Sequence, residues 1–423
     1  MLSRRENELL TRVGPGTAMG EVMRRYWLPA LLSRELPGPD CPPLRVKLLG
    51  EDLVAFRDTS GRIGLLDEYC PHRLASLFLG RNEESGLRCV YHGWKFDVQG
   101  NCVDMPNEPL ESRFKEKVHL TSYPTVEAGG VVWAYMGPQE KMPDPPAMEW
   151  TRAPENYRFV SKTHEYCNYL QAIEGGIDTV HSSFLHNNDL ANKRNFKRRD
   201  TAPRLEVERT PYGFRYAGIR TAGEGLLYVR VYHFVLPFQQ CRSHQIDFIA
   251  GDGSRRPLPT LDGHMWVPMD DHNTMVYNVM LAADEDRPLT PEFIAATETH
   301  LGRGPEGETQ VRRRVRANDW LIDRELQRTK TFTGITGLNT QDLAVQESMG
   351  SVVDRSREHL GSTDKAIIAF RRILLDLIQD LGEGKNPLGT NPNSYRNVRA
   401  ADLMISNDVP WQEGAKEQLI ARW

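Results

Sequence analysis

The chain reads as an α+β protein in two parts, a small all-β unit followed by a larger unit in which helices cover an antiparallel sheet. Three observations point there. First, "LRVKLLG", "LVAFRD", "RIGLLDEY" and "VVWAYMG" are short, rich in β-formers and punctuated by turns such as "DTSG" and "DVQGN". Second, "LLYVRVYHFVLPF" and "NTMVYNVML" read as longer strands of an antiparallel sheet. Third, "TDKAIIAFRRILLDLIQDLG" carries apolar residues at helical spacing, with Thr363 or Asp364 as N-cap and Gly382 as stop. We read that helix as core packing.

Composition narrows the function classes. A chain of 423 residues suggests two or three domains, and 39% hydrophobic with 26% charged residues is ordinary for a soluble globular protein. A formal net charge of -4 gives no nucleic-acid footprint and no basic membrane patch. No apolar run approaches the roughly 18–20 residues that span a bilayer. The start, "MLSRRENELLTRV", lacks the apolar core of a signal peptide, so a cytoplasmic location is expected. Six cysteines in this length do not make a disulfide scaffold. Cys41, Cys102, Cys167 and Cys241 have no ligand-like neighbours and read as small buried hydrophobes.

Cys70 and Cys89 differ. Cys70 and His72 form C-x-H; sixteen residues later Cys89 and His92 form C-x-x-H. Thiolate and imidazole are metal ligands, and two short pairs on hairpin tips could converge on one site. Tetrahedral zinc is one occupant of such a set; a Rieske [2Fe–2S] cluster, with two thiolates on one iron and two imidazoles on the other, is the second. Zinc fingers usually place both cysteines in one pair. Here each pair mixes one Cys with one His, which favours the Rieske arrangement.

A second constellation follows about ninety residues on. In "EYCNYLQAIEGGIDTVHSSFLH", Tyr169, Ile173 and Ile177 recur every four residues, as on a helix. Asp178 and His181 would share a helix face. His181 and His186 are about 140° out of phase on a 3.6-residue helix. They meet at one metal only if the helix bends, bulges or ends between them. A 2-His-1-carboxylate set with open positions suits a mononuclear non-haem Fe(II) oxygenase. Downstream, Asp342, Glu347, Asp354 and Glu358 could each supply the carboxylate, and spacing does not choose among them.

"CPHR", the sixteen-residue spacer and "CVYHGWKFD" resemble the Rieske domain of the ring-hydroxylating oxygenases, including Gly93, Trp94 and Phe96 after the last ligand. D-x-x-H-x4-H matches their iron motif. "NTQD…ESMG…DR…EHLG" resembles the phthalate-dioxygenase branch, and the likeness runs along nearly the whole chain. The resemblance implies an oxygenase α subunit with a helix-grip catalytic domain. It assigns Cys70 and Cys89 to one cluster iron, His72 and His92 to the other, and His181, His186 and Asp342 to a mononuclear Fe(II). It leaves Glu347, Asp354 and Glu358 to ion pairs or caps. Residues 1–41 are then expected to be a helical segment packing on the catalytic domain, 42–150 the Rieske domain and 151–423 the catalytic domain. It also implies a homotrimer, possibly stacked into a hexamer, in which Asp178 joins His181 of one chain to His92 of a neighbour. Asp178 is accordingly expected to be a catalytic residue and not an iron ligand.

The same resemblance implies a substrate and partners. Relatives of this branch act mainly on aromatic carboxylates, with dioxygen and electrons from a separate NAD(P)H-dependent flavin and iron–sulfur reductase. The expected outcome is cis-dihydroxylation, with hydroxylation or O-dealkylation as the alternative. An electron carrier with a degenerate second domain, or a zinc-binding module, is the reading from another class. No nucleotide-binding glycine fingerprint follows a strand, since "GRGPEG" sits in a polar stretch. A carboxylate in an apolar pocket calls for the planar fork of arginine. Arg204, Arg215, Arg220 and Arg230 are candidates. Arg204, just after the iron motif, and Arg230, between Val229 and Val231, are preferred.

Overall fold

The computed structural model describes residues 2–109, 111–192, 200–246, 255–303 and 312–423. It opens with two helices, α1 (Arg4–Thr11) and α2 (Ala18–Met23). Ser3 caps α1 in a reciprocal box: its hydroxyl accepts from the Glu6 N–H, and the Glu6 carboxylate accepts from the Ser3 N–H. The helices lie on the catalytic domain. Asn168 donates to the Thr11 carbonyl at 2.9 Å and Tyr169 to the Leu10 carbonyl at 2.6 Å. The helical segment expected over 1–41 ends early. Residues Trp27–Leu32 form strand β1, buried along its whole length and paired antiparallel with a strand of the Rieske-like part. Its unbroken apolar run "WLPALL" suits a strand covered on both faces.

The first domain holds β2 (Leu44–Leu48), β3 (Glu51–Arg57), β4 (Ile63–Asp67), β5 (Arg81–Glu83), β6 (Gly86–Arg88), β7 (Lys95–Phe96), β8 (Cys102–Asp104), β9 (Thr125–Ala128) and β10 (Val131–Tyr135). They form three small sheets, ordered β1-β10-β9, β2-β3-β4 and β5-β6-β7-β8. A core of Val54, Phe56, Leu66, Leu77, Leu87, Trp94 and Phe96 encloses Cys70 and Cys89.

The second domain is built on one antiparallel sheet of β11 (Arg158–Glu165), β12 (Arg204–Thr210), β13 (Gly213–Gly223), β14 (Leu226–Val235), β15 (Gln239–Ile246), β16 (Arg255–Pro268), β17 (Thr274–Ala282) and β18 (Ala401–Ser406). Its order is β11-β17-β16-β15-β14-β13-β12, with β18 paired to β14. Both strands read from the sequence are present, as β14 and β17. Helices α3 (Tyr169–Ile177), α4 (Pro291–Leu301), α5 (Leu338–Ser348) and α6 (Lys365–Gly382) accompany it. Of "GRGPEG", Gly302 and Arg303 follow α4, and the rest lies outside the described residues.

Helix α6 occupies the stretch its periodicity indicates. Ala366, Ile367, Phe370, Ile373, Leu374 and Leu377 are buried, and Phe370 meets the rings of Phe214 and Phe234. Each large apolar side chain so buried contributes roughly 1.5–3 kcal/mol. Asp364 holds the N-cap position, but its carboxylate accepts from the Gly361 N–H and caps no helical N–H. Helix α3 nests closely on its neighbours because two of its residues lack a Cβ. A Cβ at Gly175 would lie 2.0 Å from Gln346 Nε2 of α5, and one at Gly176 2.1 Å from the Trp266 ring of β16. Among the described residues, no helix is long and apolar enough to cross a membrane.

Candidate metal centres and active site

The C-x-H pair sits on the loop between β4 and β5, and the C-x-x-H pair on the loop between β6 and β7. Tight turns aim both. The Leu74 N–H returns to the Cys70 carbonyl at 2.8 Å, and the Gly93 N–H to the Cys89 carbonyl at 3.0 Å. Gly93 adopts φ 81, and a Cβ there would strike Pro106 at 2.6 Å, which accounts for glycine after the last ligand. Trp94 stacks on the His72 ring at 4.5 Å and donates from its indole to Asn107. The His72 and His92 rings lie 4.3 Å apart, while Cys70 and Cys89 are buried. Burial pushes the Cys70 thiol up to about 12, and a hydrogen bond from the His72 backbone offsets it only in part. His72 Nδ1 is buried without a hydrogen-bond partner. Two enclosed sulfurs, two facing imidazoles and an unsatisfied ring nitrogen fit a cluster that takes one Cys and one His from each loop.

The second centre depends on where α3 stops. The helix ends at Ile177, before either histidine, so Asp178 and His181 do not share a helix face as the spacing suggested. Asp178 is the C-cap, in extended conformation, and its Oδ1 accepts from the Val180 N–H at 2.7 Å. A 3-10 turn, His181–Ser183, then swings the first histidine back. The early stop removes the phase conflict: His181 Nε2 and His186 Nε2 come within 3.1 Å. Asp342, on α5, brings Oδ1 to 3.1 Å from His186 Nε2 and 3.6 Å from His181 Nε2. One atom from each of these three side chains lies within 4.8 Å of the others, close enough for a single ion. Burial opposes ionisation of Asp342, but His186, His181 and Arg242 outweigh it and hold the carboxyl well below the usual carboxylate range. Two imidazole nitrogens and an ionised carboxylate on one side of a cavity fit an Fe(II) with open positions.

Asp178 does not join that trio. Its Oδ2 faces His181 Nδ1, the far side of the ring, at 3.8 Å. The other acids have local partners. Glu347 accepts from the Tyr166 N–H and the Trp320 indole, each at 3.0 Å, and pairs with Arg312. Asp354 caps the Ser356 N–H, and Glu358 pairs with Arg371.

A pocket opens beside the three side chains. Gly175 and Gly176 of α3, Trp266, Val276 and Leu343 form its smooth and apolar lining, with Glu165, Asn278, His264 and Arg242 as polar groups. Neither arginine preferred from the sequence lines this pocket. Arg204 is 64% exposed and paired with Glu206 on the outside of β12. Arg230 is buried, but Nη2 is bonded to the Ser243 carbonyl and His244, and it does not line the pocket. Arg215 pairs with Glu208, and Arg220 donates to the Thr179 carbonyl. Arg242 is the cation that lines the pocket. Its Nη2 meets His264 Nε2 at 2.6 Å, and its Nε is enclosed without a partner. Burial pulls its pKa down, more than Asp262 restores it, and Arg230 and Arg303 add to the effect. Glu165 is buried in the same lining, and burial together with Glu347 raises its carboxyl to about 8. A period-two reading of "QQCRSHQI" could have found Arg242, since it shares a strand face with Gln240 and His244.

Comparison with known proteins agrees with this geometry. Residues 26–124 match the Rieske [2Fe-2S] domain family, and residues 134–421 the family described as LigXa C-terminal domain like. The chain is 40% identical to the phthalate 4,5-dioxygenase oxygenase subunit of Pseudomonas putida, covering 98% of this chain and 94% of that one. It is 39% identical to the 3-chlorobenzoate-3,4-dioxygenase oxygenase subunit of Comamonas testosteroni, covering 98% of each. Among solved structures, a mutant of NdmA from Pseudomonas putida CBB5 with theobromine superposes with a TM-score of 0.62 at 19% identity, over 93% of this chain and 99% of that one. That last likeness is one of fold.

Proposed function

The chain belongs to the Rieske non-haem iron oxygenases as an oxygenase component, and from that premise we propose that it cis-dihydroxylates an aromatic carboxylate of the phthalate or benzoate class. The observation that carries the substrate class is Arg242, a half-buried cation in the pocket beside His181 and Asp342. The relatives named for phthalate and 3-chlorobenzoate support it.

Cys70 and Cys89 would hold one cluster iron and His72 and His92 the other, while His181, His186 and Asp342 would hold the mononuclear Fe(II). When bound, the cluster supplies electrons one at a time and the iron activates dioxygen. The chain's own residues do the rest. Arg242 binds the substrate carboxylate through its free guanidinium edge, which fixes the ring's distance from the metal trio. Trp266, Val276 and Leu343 exclude water around the ring. Glu165 keeps its proton at neutral pH and so presents a hydrogen-bond donor where an ordinary glutamate would present charge. The overall reaction consumes dioxygen, two electrons and two protons.

Asp178 serves as the link for electron delivery, accepting from His181 and from His92 of a neighbouring subunit. Its Oδ2 on the His181 Nδ1 side and its 28% side-chain exposure support that role. A ligating imidazole commonly donates its second N–H to a carboxylate. The role requires a homotrimer, which can stack into a hexamer, with residues 42–150 joined by β1 delivering electrons and residues 151–423 using them. Electrons come from a separate NAD(P)H-dependent flavin and iron–sulfur reductase. We place the protein in the cytoplasm, where Cys41, Cys102, Cys167 and Cys241, none of them in a disulfide, stay reduced.

The test is a reductase-coupled assay on aromatic acids and on the same rings with the carboxylate replaced by an amide. The proposal expects acid-dependent dioxygen uptake and a dihydrodiol product. Equal turnover of acid and amide would refute the substrate class.

A further inference from the structure

We infer that Gln341 is a positioning residue that fixes the tautomer of His186, so that one dipeptide, Gln341–Asp342, supplies both an iron ligand and the group that orients another. The inference rests on the iron-site reading above.

Gln341 is wholly buried at the start of α5. Its Nε2 lies 2.8 Å from the backbone carbonyl of Ile335 and 2.8 Å from Asn188 Oδ1. A backbone carbonyl only accepts, so the atom facing it must be the amide nitrogen. A flipped amide would set oxygen against oxygen in a buried site, leaving both unsatisfied. The orientation of Gln341 is therefore determined, and its Oε1 is an acceptor. That Oε1 lies 2.9 Å from His186 Nδ1. His186 must then carry its proton on Nδ1 and donate it to Gln341. Nε2 is then the nitrogen placed to ligate an ion, on the side that faces Asp342 Oδ1 and His181 Nε2.

The fold supports this contact from both sides. The loop after His186 is stitched to the segment before α5 by the Phe332 N–H on the Asn187 carbonyl and the Leu190 N–H on the Lys330 carbonyl, each at 2.8 Å. His186 and Gln341 therefore approach as parts of one braced unit. The two histidines are treated unlike: His181 turns Nδ1 toward a carboxylate, Asp178, and His186 toward a neutral amide. A carboxylate raises the basicity of its imidazole more than an amide does. The ring in line with Asp178 is thus electronically separate from the ring that is simply held.

The test uses the holoprotein with its cluster in place, stripped of mononuclear iron by a mild chelator and titrated with Fe(II). Gln341→Leu removes the acceptor and is expected to weaken Fe(II) binding by about 10–100-fold, the usual effect of losing a ligand-orienting partner, with the Rieske EPR signal unchanged. Gln341→Glu, as a neutral acid bonded to the Ile335 carbonyl, keeps an acceptor for Nδ1 and is expected to bind within a few-fold of wild type. Wild-type affinity in Gln341→Leu would overturn the inference. Equal loss in both variants would also overturn it, since it would mark Gln341 as a loop brace only. Should Gln341→Leu fail to fold, the Co(II)-loaded wild type decides. His186 must then show a hyperfine-shifted, solvent-exchangeable ring N–H, assigned through its change in Gln341→Glu, and its absence overturns the inference. Wild type that takes up no Fe(II) beyond its cluster would refute the iron-site reading as well, which separates the two failures.

Discussion

Replacing Arg242 by methionine tests the substrate class at the residue that carries it. Methionine keeps much of the side-chain volume and removes the charge and every donor. The guanidinium spends Nη2 on His264 at 2.6 Å, and its enclosed Nε has no protein partner. A substrate carboxylate on the free edge would take two charge-assisted bonds, each contributing ~1.5–3 kcal/mol. We take about 3–4 kcal/mol for the pair, the lower part of that range, because the half-buried arginine is in partial contact with water when no substrate is bound. At ~1.4 kcal/mol per tenfold, kcat/KM for the aromatic acid should fall ~10²–10³-fold, chiefly through KM. For the amide of the same ring the fall should stay below ~10-fold. Arg242→Lys, which keeps charge and loses the fork, should fall between. The assay is reductase-coupled product formation over a substrate titration, with iron content measured alongside because Arg242 also helps keep Asp342 ionised. If the acid and the amide lose equally with iron retained, Arg242 shapes the pocket and does not bind a carboxylate.

Three further outcomes follow from the same geometry. Asp342→Ala should lose the mononuclear iron and keep the Rieske spectrum; full iron occupancy in the purified variant would remove Asp342 from the ligand set. Asp178→Asn keeps an acceptor for the Val180 N–H but turns a donor toward His181, so both metals should remain while product formation slows by at least ~10–100-fold. Loss of iron with normal electron transfer would instead confine Asp178 to its own chain. His233, buried and hydrogen-bonded to the Tyr212 hydroxyl, has its pKa lowered by burial, then by Arg215, from 6.5 to about 3. The unfolded chain then binds more protons than the folded one between those values. Stability should be full above pH 6.5 and fall as pH drops toward 3, by up to a few kcal/mol at ~1.4 kcal/mol per pKa unit. Denaturant titrations at pH 7 and pH 5 should show a smaller drop in His233→Gln, and an equal drop would contradict the assignment.

Much of this molecule was legible in its residues, and the parts that were not share a cause. The Cys–His pairs carry their loop geometry locally, because Gly93 and Trp94 sit beside the ligands they position. Helix α6 and strands β14 and β17 follow from period alone. The end of α3 was not legible, since the apolar repeat stops at Ile177 while the residues beyond it are acceptable in a helix. Asp178 ends it by capping and by bonding Val180. The strand β1 was read as part of a helical segment because a strand buried on both faces has no alternation. Arg242 was passed over for a related reason. A pocket-lining arginine on a strand differs from a surface one only by what the opposite elements bring to it, and its pocket is assembled from β11, β16, β17, α3 and α5.

This chain is expected to add both atoms of dioxygen to an aromatic acid. Turnover of phthalate, benzoate and 3-chlorobenzoate with a reductase under ¹⁸O-labelled dioxygen, followed by mass spectrometry of the product, tests it most directly. The expected product is a cis-dihydrodiol carrying two labelled oxygens from one of these acids. A product with a single labelled oxygen would contradict dihydroxylation and make the protein a monooxygenase. Unlabelled acids, recovered unchanged from enzyme with both metals loaded, would contradict the substrate class itself.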